Sequence, residues 1–384
     1  MNRVAICPRL YWQARVEEAG LTFHSLDGRK YWDESAYYQL TAQEVDALEK
    51  AANELHLMCI QAAQKVIDDD LWPQLAIAAE AIPLIRNSWQ RDDFSLYGRF
   101  DFIYDGRSPP KMLEYNADTP TSLLETAAVQ WFWLQDVSPK SDQFNSVHEK
   151  LVSAWKHYGT NNPAKVHLGS IKDCPEEQQT VRYLQDTCVQ AGLTASQLFI
   201  EDLGFDEAGR RFVDLEDEPV RHYFKLYPWE WMWQEPFARC LKLELASFIE
   251  PMWKMLLSNK GLLPVLWQLF PDHPNLLPAF FSQEELAACP QAALARRGFI
   301  KKPKLGREGA NISLVCPGFP AQQTEGGYGQ EGYIFQALAP QVAFDQQYPV
   351  MGVWVVNHQA CGLGIREDTS RITGNLSRFV PHLF

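Results

Sequence analysis

Residues Tyr97 to Ser122 constrain this chain more than any other stretch. They read Tyr-Gly-Arg-Phe-Asp-Phe-Ile-Tyr-Asp-Gly, a short polar link, and Met-Leu-Glu-Tyr-Asn-Ala-Asp-Thr-Pro-Thr-Ser. Two runs of alternating apolar and polar residues flank the Asp105-Gly106 turn and the Ser108-Pro109-Pro110 link. That pattern predicts two adjacent antiparallel strands. With a side-chain period of two, Glu114 and Asn116 leave one face together, and strand pairing brings Asp101 and Arg99 to the same face. Two carboxylates, an amide oxygen and an arginine suit a hard cation carrying phosphate oxygens. A hairpin with a polar, solvated face is the bland reading of such a pattern. The residues that follow weigh against it.

Directly after Asn116 come Asp118-Thr119-Pro120-Thr121, then Ser122 and Glu125 at the spacing of a capping box. This predicts a helix from Ser122 to about Gln135. The loop ahead of it offers hydroxyls and free N–H groups, backed by the positive end of a helix dipole, which makes an anion site. A cation site beside an anion site implies joining a carboxylate to something phosphorylated.

With 384 residues, 46% of them hydrophobic, the chain can build sizeable cores over two or three domains. Its net charge of −13 argues against nucleic acid or an anionic membrane as a partner. No run approaches the ~20 apolar residues of a membrane span, and the N-terminus lacks a signal-peptide core. The eight cysteines are scattered, without metal or disulfide spacing, and read as reduced thiols. The expected setting is the cytoplasm.

In chain order, residues 1–40 read as irregular and aromatic. Thr41 to Asp69 is the clearest helix, capped by Thr41 and Glu44, with His56 in a structural role. A second helix is expected over Asp142–Tyr158. From Val166 the texture becomes β-α-β, with strands at 165–169, 198–203, 209–215 and 222–227 around a helix at 176–192. This predicts a small α/β domain with a partly parallel sheet. Trp229–Phe270 reads as largely helical and Ser282–Arg296 as a capped helix. Gly298–Pro303, the Gly306–Asn311 loop and Ile312–Val315 form a strand–loop–strand flap able to cover phosphates. Core strands follow at 333–336 and 350–356.

Taken in order, Tyr-Gly-Arg99-Phe-Asp101-Phe, Leu-Glu114-Tyr-Asn116-Ala-Asp-Thr-Pro-Thr, Ser-Asn-Lys260, Lys302-Pro, Arg307-Glu-Gly309-Ala-Asn and Gly-Ile-Arg366-Glu-Asp resemble the synthetase domain of glutathionylspermidine synthases. More narrowly, they resemble its stand-alone bacterial relatives, described as acid–amine ligases. The bifunctional enzyme carries an amidase domain ahead of its synthetase, and this chain is expected to lack it. The resemblance implies a mixed α/β chain with a permuted ATP-grasp fold and an associated pre-ATP-grasp-like α/β domain.

Its implied parts are a metal and acid-substrate core at 80–136, the small domain at 160–230, a nucleotide lid at 255–330 and a completing sheet at 331–384. It further implies ATP as co-substrate and Mg²⁺, two ions, held by Asp101, Glu114 and Asn116. Arg99 would contact the transferred phosphate and Arg366 would stabilise the transition state. Lys260, Lys302, Gly309 and Gln336 would bind the nucleotide, with Gln336 at the adenine hinge. Thr119, Thr121 and Arg307 would hold the acid substrate; the family has serines at the two threonine positions, so the acid could differ.

The reaction implied is an ATP-dependent carboxylate–amine ligation through an acyl phosphate, with glutathione or another small peptide as the acid and a polyamine as one choice of amine. The partners are small molecules, and the oligomeric state stays open. The alternative is an inactive ATP-binding scaffold or regulator of the same fold, which loss of a metal ligand would favour. A thiol hydrolase is a third reading, but no Cys-His-Asn context supports it.

Overall fold

The alternation in residues 97–116 becomes an antiparallel pair. The computed structural model describes residues 1–26, 28–162, 165–289, 297–307, 309–318, 320–374 and 377–384. Tyr97–Ile103 pairs with Lys111–Asn116, placing Arg99 opposite Asn116 and Asp101 opposite Glu114. These two strands end a five-stranded antiparallel sheet that continues through Tyr348–Val356, Gln359–Asp368 and Arg378–Val380. The pleat sorts the residues by chemistry. Phe100, Phe102, Met112 and Tyr115 join Leu48, Leu55 and Cys59 of the helix Ala42–Asp68 in one core. The Phe100 and Tyr115 rings stack at 3.8 Å. Fully burying one such side chain is worth about 1.5–3 kcal/mol, so a one-residue slip that swapped the faces would be costly.

The long helix starts as expected: Thr41 accepts from the Glu44 N–H, and Glu44 reaches back to the Thr41 N–H. His56 is buried in it, bonded to the Tyr115 hydroxyl and to His358, and plays a structural part.

A second sheet is parallel throughout. Its order is Ser247–Ile249, His222–Lys225, Val166–Gly169, Ala195–Gln197, with the helix Pro175–Gln190 as a crossover. Val166, Leu168, Phe224 and Ile249 share a core with Leu151, Trp155 and Leu184 of the covering helices. A third, five-stranded antiparallel sheet runs Ala279–Phe280, Tyr333–Ala337, Phe299–Pro303, Ser313–Val315, Gln322–Gln323. No helix among the described residues is long and apolar enough to cross a membrane.

Several local expectations are corrected. Residues 1–40 are not irregular: Asn2–Ala5 and Ala36–Gln39 pair, and His382–Leu383 adds beside them, so both chain ends close one small sheet. Residues 198–203 do not form the expected strand. The strand is Ala195–Gln197, and a 3₁₀ turn follows at Ile200–Asp202. Trp229–Phe270 is helical only in part: the helices Trp229–Met232, Ala238–Leu241, Lys254–Ser258 and Leu262–Leu269 are interrupted by the strand Ser247–Ile249. Its partner lies far away in sequence, so local periodicity could not reveal it.

The capping box at Ser122 is absent too. Ser122 adopts φ +67°, and Tyr31 binds both Ser122 Oγ and Glu125. The chain enters the helix through a π turn at Glu125–Val129 instead. At Ser282 the box does form, over a helix Gln283–Ala288; residues 290–296 of the expected helix lie outside the described residues.

The parallel and central sheets are pinned together by one buried pair. Glu250, following Ile249, accepts from the backbone N–H groups of Leu96 and Tyr97 and from Ser95 Oγ. Lys254 Nζ lies 3.4 Å from Glu250 and donates to Ser95 Oγ and the Tyr97 carbonyl. Both side chains are almost fully buried. Replacing Lys254 by Met leaves a carboxylate without its cation, which typically costs about 3–5 kcal/mol. A urea titration of Lys254→Met should show a clear loss of stability, and an unchanged midpoint would remove the pair from this role.

Candidate active site

The polar face of the 97–116 strand pair forms one wall of a cleft of about 1340 Å³, a volume that includes its open mouth. Asp101 receives Arg99 Nε at 2.7 Å on one oxygen and Arg366 Nη2 at 2.9 Å on the other. Arg366 arrives from the strand Gln359–Asp368, two places across the sheet. Gly352 stands opposite Asp101, and a Cβ there would lie 3.0 Å from Arg99 Cδ, so glycine makes room for the arginine stem. Arg99 Nη1 also donates to the Thr121 carbonyl at 2.6 Å, tying the strand to the threonine loop.

Glu114 is met from the other side by Lys260 Nζ at 2.9 Å. Burial opposes its charge, yet Lys260 and Lys302 hold the Glu114 carboxyl down at about 2. Lys260 also donates to the Gly306 carbonyl at the root of the flap. Lys302 is buried on the strand Phe299–Pro303, donating to Gln336 Oε1 at 2.9 Å and the Leu113 carbonyl at 3.0 Å. Burial lowers the Lys302 ammonium to about 8 although Glu114 acts to raise it.

The Asn116 amide lies 3.5 Å from Asp101 Oδ2 and 3.3 Å from Glu114 Oε1. Two carboxylates and an amide that can present its oxygen make a donor set fitting a hard divalent cation. No cluster of three or more His, Cys, Asp or Glu among the described residues could hold a metal by itself. A cation here would therefore depend on Asn116, water and ligand phosphates for its remaining donors, the habit of Mg²⁺.

Thr119, Thr121 and Arg307 form a second corner. Arg307 comes off the flap to hydrogen-bond Thr119 Oγ1, lies 3.6 Å from Glu230 and sits over the Trp231 ring. Asp118, just before Thr119, is buried against Lys225 Nζ at 2.6 Å and the Trp229 N–H at 3.0 Å. Gly309 needs its φ of +70°, and a Cβ there would meet the Thr373 carbonyl at 2.5 Å, so the flap rests on residues 372–373. Glu308 lies outside the described residues.

Arg99, Asp101, Glu114, Asn116, Thr119, Thr121, Lys260, Lys302, Arg307, Gly309 and Arg366 thus all line one cleft. Gln336 does not: it is buried behind Lys302, bonded to that lysine and to the Met112 carbonyl. Sequence reasoning missed the apolar wall of Ile103, Leu113, Ile300, Leu338, Ala339 and Val350, and also Glu230. The apolar wall carries no local signal, because its residues are ordinary hydrophobes in strands or, for Leu338 and Ala339, just past the end of one. Glu230 does carry a faint one, lying just past the end of a strand predicted to be in a parallel sheet.

A Haemophilus influenzae protein named "Putative acid–amine ligase" is 43% identical over 94% of this chain and 92% of its own length. The bifunctional glutathionylspermidine synthetase/amidase of Escherichia coli and the trypanothione synthetase of Crithidia fasciculata are each 30% identical. These alignments cover 90% and 85% of the chain, which spans only 58% and 55% of those two proteins. In fold, the glutathione synthetase-like effector GSS30 of Globodera pallida is similar, with a TM-score of 0.58, 10% identity and coverage of 97% of this chain and 95% of that one. Residues 3–384 match the family described as glutathionylspermidine synthase preATP-grasp, and the chain belongs to that family.

Proposed function

We infer that the protein is an ATP-dependent ligase that joins a carboxylic acid to an amine through an acyl phosphate. The observation that carries this is the cationic character of one cleft in an anionic protein. Arg99, Lys260, Lys302, Arg307, Arg366 and Arg371 line it against the carboxylates of Asp101, Glu114, Asp118 and Glu230. The whole chain carries a net −13. Such focused positive charge suits a polyphosphate and a carboxylate together.

In this reading the fold is a permuted ATP-grasp, with 80–136 as the metal and acid core, 160–230 within the pre-ATP-grasp-like part, 255–330 as the lid and 331–384 completing the site. Lys260 and Lys302 hold the nucleotide phosphates, and the apolar wall takes the base near residues 338–339. Gln336 contributes by fixing Lys302. Thr119, Thr121 and Arg307 hold the acid, with glutathione or a related small peptide as the first candidate and a polyamine as the amine.

The acid's carboxylate oxygen attacks the γ-phosphorus and ADP leaves. Arg99 and Arg366 neutralise charge on the phosphoryl group in transit, the dominant contribution in this chemistry. Bound Mg²⁺, held by Asp101, Glu114 and Asn116, would supply further neutralisation of the phosphate oxygens. The flap at 306–311 then keeps water from the acyl phosphate until the amine displaces phosphate. A cytoplasmic setting belongs to the same reading and suits eight cysteines scattered without metal or disulfide spacing.

The first test is ADP release with Mg²⁺-ATP over a matrix of peptides and amines; turnover that needs neither acid nor amine would sink the ligase reading. Glu114→Ala is expected to abolish metal-dependent turnover while leaving the circular dichroism spectrum unchanged. Arg366→Ala should keep nucleotide affinity close to normal and lower kcat by ~10³; a loss confined to affinity would make it a binding residue.

The pH dependence follows from Lys302. Its ammonium, lowered to about 8, loses its charge as pH rises, so ATP affinity should weaken between pH 7 and 9. In Lys302→Arg, which stays charged, that slope should vanish. An equally steep slope in the arginine variant would assign it to another group.

A further inference from the structure

Among the described residues four carboxylates line the cleft: Asp101, Glu114, Asp118 and Glu230. Three are closely partnered. Asp101 is shared by Arg99 and Arg366, Glu114 is paired with Lys260 at 2.9 Å, and Asp118 is buried against Lys225 at 2.6 Å. Glu230 is held more loosely. Its ion-pair contact, to Arg307 Nε, is 3.6 Å, beyond hydrogen-bond length, and its side chain keeps 16% exposure in the cleft.

Its place in the fold is well determined. Glu230 follows Pro228-Trp229, just past the C-terminal end of the parallel strand His222–Lys225, the end at which open α/β sheets present ligand-binding groups. Asp118 binds both Lys225 from that strand and the Trp229 N–H, so the turn carrying Glu230 is fastened to the loop carrying Thr119 and Thr121. Glu230 therefore stands beside the corner where the acid is held.

The second half-reaction needs such a group. An alkyl amine is an ammonium at neutral pH, with a pKa of about 10.4, and has no lone pair until it loses a proton. We propose that Glu230 binds the ammonium of the amine substrate and takes that proton, a role that rests on the ligase reading above. The freed nitrogen attacks the acyl carbon, the C–N bond forms, and the C–O bond to phosphate breaks with its electron pair leaving on phosphate. The second nitrogen proton goes to the departing phosphate, and Glu230 returns its own to solvent. The charged groups that bear on Glu230 are Arg307, Asp118 and Lys225; burial raises its affinity for a proton, Arg307 opposes this and Asp118 adds to it.

The test compares Glu230→Gln with the wild type in two assays, using Mg²⁺-ATP and glutathione as the acid. One uses spermidine as a cationic nucleophile and measures amide; the other uses hydroxylamine, uncharged at pH 8, and measures hydroxamate. Glu230→Gln should lower amide formation by ~10² or more, the range of general-base catalysis, while hydroxamate falls far less. Raising the pH toward 10, where more spermidine nitrogen is already neutral, should narrow the gap between variant and wild type. Glu230→Asp should restore part of the rate. An equal loss in both assays would make Glu230 part of the acid or phosphoryl site, and unchanged amide formation would remove it altogether. A wild type that forms no hydroxamate with any peptide of the matrix overturns the ligase reading, and the proposal falls with it.

Discussion

Asp101 lying between two arginines is the contact on which the arrangement depends. Its two oxygens receive Arg99 from its own strand and Arg366 from a strand two places across the sheet. A carboxylate this buried is tolerable only when its charge is matched and its lone pairs are filled. Arg99 meets the acid through a two-pronged contact, Nε on one oxygen and Nη2 on the other, and Arg366 through Nη2. The pair of arginines is therefore fixed in direction before any ligand arrives, which is what stabilising charge on a transferring group requires.

The same logic recurs farther out. Lys225 with Asp118 and Lys254 with Glu250 are buried ion pairs whose remaining valences go to backbone groups of other elements. The two acids bind the N–H groups of Trp229, Leu96 and Tyr97, and Lys254 binds the Tyr97 carbonyl. They act as joints between sheets rather than as surface decoration. In both cases the joint lies where the parallel sheet meets the strand pair bearing the site, so the small sheet positions the cleft.

Legibility followed range. The alternation of Tyr97–Ile103 and Lys111–Asn116, the Thr41 capping box and the β-α-β texture after Val166 are patterns within a few residues, and the structure follows them. The capping box at Ser122 was equally legible and did not form, because Tyr31, ninety-one positions earlier, takes both of its side chains. The strand Ser247–Ile249 was read as helix because its hydrogen-bond partner, His222–Lys225, lies outside any local window. Gln336, expected at the nucleotide, pairs opposite the cleft-lining Ile300 and is covered by Lys302, which stands two residues farther along that strand.

By itself the sequence determined which face of the 97–116 pair would be polar, since a period of two leaves no other choice for Asp101, Glu114 and Asn116. It also determined, through the order of its motifs, the family. Tertiary structure alone decided which cations meet which acids: Lys260, the pair Lys302 and Arg307, and Arg366 come from three separate segments, and only folding fixes their distances. It alone decided that Asp118 would be locked while Glu230, on the neighbouring turn, stays open to the cleft. Charge pairing is a property of positions in space, and no spacing along the chain encodes it.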